Sequence, residues 1–427
     1  MKTNSNLEAT KPWLWLASVA LCFSALLAIM LVLSRAPGVQ DYFGLIDFFH
    51  TILVLHVNFA VLVWLLSFVS FVWMFKSNLQ NSSLNKLLIG FSVLGTLMML
   101  SSPFFGQAKP IMSNYVPVLE SPLFFAGLIT FSLGITGLAW LVIRNRDWDL
   151  VKWSALMWFV SLIVLIFHSF QIQTKDSATY FEALFWGAGH VVQFVYVLIL
   201  WSIWQWPRSE VSRFTHYSFI MILLSVLGIS LLFEAGTSVS REAFTSLMRW
   251  GMILILIPML WWFIQNYREV GLSVKASALL MVLGMVIGLL IKNDTVIVTA
   301  HYHATNAAVT IAFMGLAYRL MNEYCYCLQS SKMITTQIIM YSVGMLLYVL
   351  GMAGSGWLGV PRKTAVTVDD SLQTISMGIM GLGGAISIIA TLLFIAIVLF
   401  SLINYKKINH KKTLKKLGHQ KLAEEWK

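Results

Sequence analysis

Histidine is the residue type in this 427-residue chain whose number and spacing best suit cofactor chemistry. Nine histidines occur, and neutral imidazole is a common ligand of metal ions and of haem iron. His301 and His303 stand two positions apart in an apolar segment. On an α-helix such residues project about 200° apart, whereas a single zinc or copper site uses residues three or four apart that share a face. The His301-Tyr302-His303 triplet therefore indicates a helix with a metal centre on each side.

Six histidines lie within long apolar segments, where ionisable side chains are costly and usually functional. They are His50, His56, His168, His190, His301 and His303. If each segment is a membrane helix, His56, His190 and the His301 pair lie in one layer, roughly 9–18 Å below the outer membrane surface at 1.5 Å per residue. Three sequence-distant helices would then present imidazoles at a common depth. The plainer alternative is a set of packed histidines bonded to backbone or water, although unpaired imidazoles in hydrocarbon are expensive.

The elements that position these residues are predicted to be membrane-spanning helices. Hydrophobic residues make up 58% of the chain and charged residues only 11%, too few charges for a soluble globular surface. A bilayer core of ~30 Å takes about 20 apolar residues per helical crossing. Twelve stretches suit such a crossing: 13–35, 45–75, 86–107, 116–143, 150–172, 178–205, 215–236, 243–266, 276–293, 295–320, 334–354 and 376–404. The sequence predicts an all-α integral membrane protein with about twelve transmembrane helices in a single domain, residues 1–404.

The basic residues predict how this bundle is oriented. With the N-terminus in the cytoplasm, 21 Lys and Arg residues fall on the cytoplasmic side and 8 on the outer side, in accord with the positive-inside rule. Both termini are then cytoplasmic, and a bacterial inner membrane is the expected location. The basic tail, residues 405–427, is expected to lie against anionic lipid headgroups. The net charge of +11 therefore needs no nucleic-acid partner.

The cysteines limit the electron-transfer groups that this chain could hold. Only Cys22, Cys325 and Cys327 occur. There is no CxxCH motif for covalent haem, and no cysteine cluster typical of an iron–sulfur or dinuclear copper centre. An electron donor, if one is needed, must therefore lie on another chain.

The stretch from Thr299 to Gly315, which contains His301-Tyr302-His303, resembles the tenth helix of the haem–copper oxidase superfamily. That family includes the catalytic subunit I of cytochrome c oxidases and the large subunit of nitric-oxide reductases, with twelve helices in three arcs. The resemblance implies that His301 is the axial ligand of a high-spin, gas-binding haem and that His303 is an axial ligand of a low-spin haem. Two haems, expected to be b-type, would then lie beside one helix.

The same resemblance assigns roles to histidines on the second and sixth helices. Leu55-His56-Val57-Asn58-Phe59-Ala60 matches the segment that supplies the other low-spin haem ligand, which would be His56. His50 is the rival candidate; six residues correspond to about 240° on a helix, so the two cannot face the same iron. The aromatic-rich segment Phe185-Trp186-Gly187-Ala188-Gly189-His190 implies that His190 is a ligand of the second metal, copper B. A lone packed histidine is the alternative for His190.

The sequence departs from the family on the seventh helix. The family places two adjacent histidines there, which would correspond to positions near Ser230 and Leu231, and no histidine occurs between His216 and His301. One imidazole does not hold copper tightly, because ordinary geometry needs two or more further ligands. Glu234 and Gln193 are the nearest polar candidates, and neither is convincing. Copper is therefore doubtful.

Three classes of function follow. The first is a membrane respiratory oxidoreductase that passes electrons from the low-spin haem to the high-spin haem, which reduces oxygen or nitric oxide. Its electron donor would be another subunit, cytochrome c or quinol. The second is a non-pumping or catalytically degenerate haem protein for electron transfer or gas binding. The third is a twelve-helix transporter. It is less favoured because transport gives no reason for three helices to place histidines at one depth in the membrane.

Overall fold

The structure, a computed structural model, describes residues 2–33, 45–79, 82–106, 108–291, 294–323, 331–363 and 371–424. In the first two ranges and in the last, side chains are described only for residues 8–33, 48–79 and 371–403. Cys325 and Cys327 lie outside the described residues. The described chain forms long helices and one small antiparallel hairpin. The helices are α1 Lys2–Leu33, α2 from Leu45 to Lys76, α3 Ser83–Ser101, α4 Pro122–Asn145, α5 Leu150–Gln171, α6 Ser177–Trp204, α7 Arg213–Leu232, α8 Ser238–Gln265, α9 Leu272–Leu289, α10 Val296–Glu323, α11 Ser331–Trp357 and α12 Ser371–Glu424.

Each predicted apolar stretch coincides with one of these twelve helices, and the chain is an all-α, multi-span membrane protein. Eleven helices are long and apolar enough to cross a membrane. The remaining helix is α10, which has 28 residues but a lower mean hydropathy because its histidines and Asn306 interrupt the apolar run. Helix α12 runs to Glu424, beyond the predicted boundary at residue 404, as the Lys- and Leu-rich composition of the tail favours helix.

The fourth predicted stretch begins too early. Residues 116–143 were expected to form one helix, but Val118–Glu120 is strand β2, paired with strand β1, Lys109–Ile111. Helix α4 begins at Pro122, because proline at the first helical position fits its fixed φ and needs no N–H partner. Strand β2 thus occupies residues that the hydropathy pattern assigns to a membrane helix, whereas β1 lies between two predicted stretches.

Loops from several helices meet at one end of the bundle, which we call the hairpin end. Val296 N donates to Val360 O at 3.0 Å, and Ser177 Oγ donates to Glu120 at 2.7 Å. These bonds join the α9–α10, α11–α12, hairpin and α5–α6 connections. Because the helices alternate in direction, the first and last described residues lie at the opposite end.

Helix α10 lies at the centre of the bundle. It packs against α9 and α11 and also contacts α6 and α12, and from Ala307 to Met314 every residue is buried. Helix α2 is equally enclosed: Val63 to Met74 is buried without interruption. Large exposed apolar side chains, by contrast, lie on the peripheral helices, for example Leu231, Trp250 and Ile264. The polar helix is therefore shielded from lipid by more apolar neighbours.

Glycine allows a close helix crossing between α3 and α4. A Cβ placed on Gly95 would be 2.3 Å from the backbone N of Phe131 and 2.4 Å from the carbonyl oxygen of Gly127. Backbones that approach this closely gain dispersion contacts, which drive helix association in membranes.

We expect Gly95→Ala to lower the free energy of unfolding by about 1–3 kcal/mol, as is typical of overpacking. The measurement is thermal unfolding in detergent. Gly90→Ala on the same helix is the matched control, because no atom lies within 4 Å of the added Cβ and alanine favours helix. Equal melting temperatures for the two variants would contradict the close crossing.

Candidate functional site

The four histidines singled out by the sequence share one hydrogen-bonding arrangement. Each lies on α2, α6 or α10, and each bonds through Nδ1 to a main-chain carbonyl oxygen. The distances from Nδ1 are 2.9 Å to Ser24 O for His56, 2.6 Å to Trp186 O for His190, 2.7 Å to Gly284 O for His301 and 2.9 Å to Thr299 O for His303. Nδ1 is therefore the proton-bearing nitrogen in all four, because a carbonyl oxygen can only accept.

This tautomer leaves Nε2 with a free lone pair in every case. Among the described residues, none of the four Nε2 atoms has a hydrogen-bond partner. A metal-bound histidine almost always donates its other N–H to a carbonyl or carboxylate, which fixes the ring. His216, near the opposite end of the bundle, has the reverse arrangement: Trp153 Nε1 donates to its Nδ1 at 2.9 Å. The tautomer that leaves Nε2 free to bind a metal is thus a property of these four histidines and not of every histidine in the chain.

The triplet on α10 presents its histidines to different neighbours, as its spacing predicts. His301 faces α9, where a Cβ on Gly288 would be 2.7 Å from the His301 Nδ1. The His303 ring lies 4.9 Å from the Tyr348 ring on α11. Both imidazoles are only partly buried although Ala300 and Ala304 are fully buried, so each ring borders space that the side chains around it leave open.

An electrostatic interaction links His56 on α2 with His303 on α10. Helix α2 changes at this level: Asn58–Val63 is a π-helical turn that begins two residues after His56. Such turns free backbone groups and often mark functional sites; here the Tyr196 hydroxyl donates to Val61 O at 2.8 Å. His50, the rival candidate, is exposed and packs beside Phe49.

His190 lies in an aromatic setting. Its ring centroid is 4.8 Å from that of Tyr115, 5.1 Å from Trp186 and 6.3 Å from Phe244. In the described part of the chain, no group of three His, Cys, Asp or Glu side chains could hold a metal ion. The role of His190 as a second-metal ligand therefore stays a prediction.

The alternative second-metal ligands considered from the sequence are Glu234 and Gln193, while Ser230 and Leu231 stand where the family has its two seventh-helix histidines. Ser230 Oγ donates to Val226 O at 2.9 Å within its own helix. Leu231 is exposed, and Glu234 is exposed at the end of α7. Gln193 donates from Nε2 to Gly189 O at 3.4 Å. The seventh helix thus offers His190 no evident partner.

Tyr115, in the loop between β1 and β2, is a site residue that sequence reasoning missed. Its φ is +66°, a left-handed conformation that costs a non-glycine residue about 1 kcal/mol. A Cβ on Gly189 would be 2.2 Å from its Cγ, so glycine is needed for the ring to reach His190. The ring also lies 6.1 Å from that of Tyr302. No local pattern singles out this tyrosine, because the loop's path depends on tertiary contacts.

Charged and amide side chains bind the loop between β1 and β2 to neighbouring elements at the hairpin end. Asn114 donates from its backbone N and Nδ2 to the Glu182 carboxylate at 2.7 and 2.6 Å. Arg362 donates to Asn114 Oδ1 at 2.9 Å and pairs with Asp294, and Lys363 donates to Met112 O at 2.5 Å. Burial, and then the neighbouring Arg362, lower the pKa of Lys363. The region therefore concentrates polar groups directly beyond the histidine layer.

His168 and Arg241 have unsatisfied nitrogens in the same part of the bundle. His168 is 1% exposed, and neither ring nitrogen has a partner among the described residues. It packs on Phe244, and a Cβ on Gly187 would be 2.6 Å from its Cε1. The Arg241 guanidinium lies 5.8 Å from the Trp186 ring centroid, with Nε buried and unbonded. His168 is thus fully buried inside the bundle.

Comparisons with known proteins identify relatives without a described function. No family model matches the chain. An uncharacterized protein of Rickettsia prowazekii (strain Madrid E) is 26% identical over 497 aligned residues, covering 93% of this chain and 96% of that protein. An uncharacterized protein of Aquifex aeolicus (strain VF5) is 28% identical over 366 residues, covering 81% of this chain and 92% of that protein. Both relatives are bacterial and match most of the chain.

We expect Gly189→Ala to loosen the hairpin, because the new methyl group overlaps the Tyr115 ring. Overpacking of this kind typically costs about 1–3 kcal/mol, so local opening should become roughly tenfold more frequent. Hydrogen exchange of amides in residues 109–120 measures this. Gly228→Ala, where no atom lies within 4 Å of the added Cβ, is the control; exchange that is unchanged in both variants would contradict the packing of Tyr115.

Proposed function

We propose that the chain is a membrane haem oxidoreductase resembling haem–copper oxidase subunit I. His56 and His303 would hold a low-spin haem, and His301 would hold a high-spin haem that takes a small gas. When bound, the two haems would supply the electron transfer and the reduction of oxygen or nitric oxide. The haems supply the redox chemistry; the chain's residues bind and orient them and exclude lipid and water.

The observation that carries this proposal is the shared tautomer of the four histidines. Each ring donates from Nδ1 to a main-chain carbonyl and keeps an Nε2 lone pair. A neutral imidazole with a free nitrogen is what ferrous and ferric haem iron bind. The electrostatic interaction between His56 and His303 supports assigning both to one haem, while His301 turns toward α9. The residues present therefore fit the two haems.

The hairpin end offers counter-charges for haem propionates. A haem carries two carboxylates, which need cationic or N–H partners when they leave water. Arg362 and Lys363 lie beyond the histidine layer on the α11–α12 connection. Arg241 at the start of α8 adds a buried Nε without a partner. Arg362, Lys363 and Arg241 are therefore the residues that would bind the propionates.

The setting of His190 favours a second candidate function, gas binding or electron transfer without efficient turnover. Aromatic rings surround His190, and one imidazole is a poor copper site. Of the second-metal ligands considered from the sequence, His190 is the one that would hold such a metal. We therefore propose that copper is absent or weakly bound and that proton pumping is inefficient.

The membrane orientation and partners complete the proposal. The excess of Lys and Arg at the terminal end supports cytoplasmic termini, with the hairpin end outward. Bacterial relatives suit an inner-membrane location. The electron donor is another subunit, cytochrome c or quinol, and lipid headgroups contact the basic tail.

The test is purification in detergent followed by a reduced-minus-oxidised spectrum, a carbon monoxide difference spectrum and metal analysis. We expect two haems per chain, one of which binds carbon monoxide, and copper well below one equivalent. His303→Ala should abolish the low-spin signal and keep carbon monoxide binding, whereas His301→Ala should do the reverse. Each variant removes an iron ligand from one haem only.

His216→Ala is the matched control, because this histidine has the opposite tautomer and should leave both signals intact. A preparation with no haem would refute the proposal. Stoichiometric copper would show instead that His190 acquires further ligands, and an exchange of the His301 and His303 effects would show that their roles are reversed.

A further inference from the structure

Arg249 is a charged residue placed deep within a membrane helix. Helix α8 runs from Ser238 to Gln265, so the Cα of Arg249 is about 16 Å from the hairpin end of the helix and about 24 Å from the other end. A hydrocarbon core of ~30 Å centred on α8 places this Cα roughly 10 Å inside the core. No other charged residue occurs from Ala243 to Tyr267. Charges at this depth are rare and usually face a partner.

The side of α8 that carries Arg249 is not covered by the described part of the chain. Helix α8 packs chiefly on α6 and α7. On this packed side, Phe244 lies against His190, and a Cβ on Gly251 would be 3.2 Å from Phe194. Arg249 is about 140–160° around the helix from Phe244 and Gly251, and it is exposed. Of the eleven spans, α8 has the smallest buried share, 28% of its most apolar 18 residues, so one of its sides is free for another helix.

Arg249 has no hydrogen-bond, ion-pair or aromatic partner among the described residues. Arg146, Arg319 and Arg362 each pair with a carboxylate, although they lie near helix ends or in loops. Glu242 is on the same side of α8 as Arg249 but two turns closer to the hairpin end, about 10 Å along the axis. A guanidinium in hydrocarbon without a carboxylate is costly. The arginine with the greatest need of an anion is therefore the one that this chain leaves without it.

Charge and depth select the occupant of this side. Two copies of the chain share one orientation in the membrane, so a two-fold contact through this side of α8 would bring Arg249 against Arg249. Like charges in contact repel strongly. Lipid phosphates lie in the headgroup region, outside the hydrocarbon depth of Arg249. A helix of a different chain can place a carboxylate at the same depth, where low dielectric strengthens an ion pair.

We propose that this side of α8 binds a transmembrane helix of another chain, and that an Asp or Glu of that helix pairs with Arg249. Thr245 and Ile253, one turn to either side of Arg249 on the same side of α8, give the partner helix a small residue to approach and an apolar one to pack on. The ion pair sets the depth and rotation of the partner helix. The inference does not depend on haem, so a preparation without haem leaves its test intact.

Photocrosslinking in the native membranes tests the surface. A benzophenone amino acid at Ile253 should attach to one membrane segment of a different chain, and the crosslinked peptide should contain Asp or Glu within about two turns of the attachment point. The same probe at Trp261, an exposed residue about 120° around α8 from Arg249, is the matched control and should label lipid. Attachment from Ile253 to lipid alone, to a second copy or to a segment without a carboxylate would overturn the proposal.

Replacement of the charge tests the ion pair. In Arg249→Leu, the amount of the crosslinked chain that copurifies should fall roughly tenfold or more, because its carboxylate is left unpaired. Arg268→Leu, at an exposed position beyond the end of α8, is the control and should keep the wild-type amount. Exchange of the charges, Arg249→Glu with arginine at the partner's carboxylate position, should restore copurification.

An Arg249→Leu protein that retains the wild-type amount of partner, or a charge exchange that restores nothing, would refute the ion pair. The Ile253 crosslink is measured with Arg249 in place, so it decides the question even if the Arg249 variants do not fold.

Discussion

The hydrogen bonds from the imidazole Nδ1 atoms of four histidines to main-chain carbonyls are the interactions on which the centre of this bundle depends. A polar group without a partner in a membrane interior costs several kcal/mol, whereas a satisfied bond contributes about 0.5–1.5 kcal/mol. For His190 and His303 the carbonyl belongs to the residue four positions earlier on the same helix. For His56 and His301 it belongs to α1 and α9. Helix packing therefore selects the tautomer of His56 and His301. Local helix geometry selects the tautomer of His190 and His303.

Close backbone approach is the second constraint, and it follows from the first. Gly284 O reaches the His301 ring only because α9 lies close to α10, and Gly288 one turn later has no side chain to obstruct that ring. The π-helical turn at Asn58–Val63 changes the rotation of α2 just beyond His56. Trp64, directly after the turn, donates to Thr310 on α10 at 3.1 Å. The turn thus lets α2 present His56 to α10 and still pack its following residues on the same helix.

The hairpin end differs chemically from the rest of the bundle. Its loops are joined by bonds between side chains and backbone, such as Asn114 to Glu182 and Lys363 to Met112, and these bonds carry charge of both signs. The membrane-spanning parts rely instead on apolar packing and on isolated Trp–Ser or Trp–Thr bonds, such as Trp73 Nε1 to Ser154 Oγ at 2.7 Å. The bundle therefore has one polar end above an apolar membrane-spanning part.

The sequence alone determined the helical class, the positions of the twelve apolar segments and the opposite facing of His301 and His303, because these depend on hydropathy and on the 100° rotation per residue of a helix. It misjudged the hairpin, since a short apolar strand cannot be told from a helix start by composition. Tertiary structure decided the rest. The tautomers of His56 and His301, the burial of His168 and the insertion of Tyr115 beside His190 all depend on residues far apart in the chain. No local pattern encodes such contacts; they exist only once α1 packs on α2, α9 packs on α10 and the hairpin reaches α6.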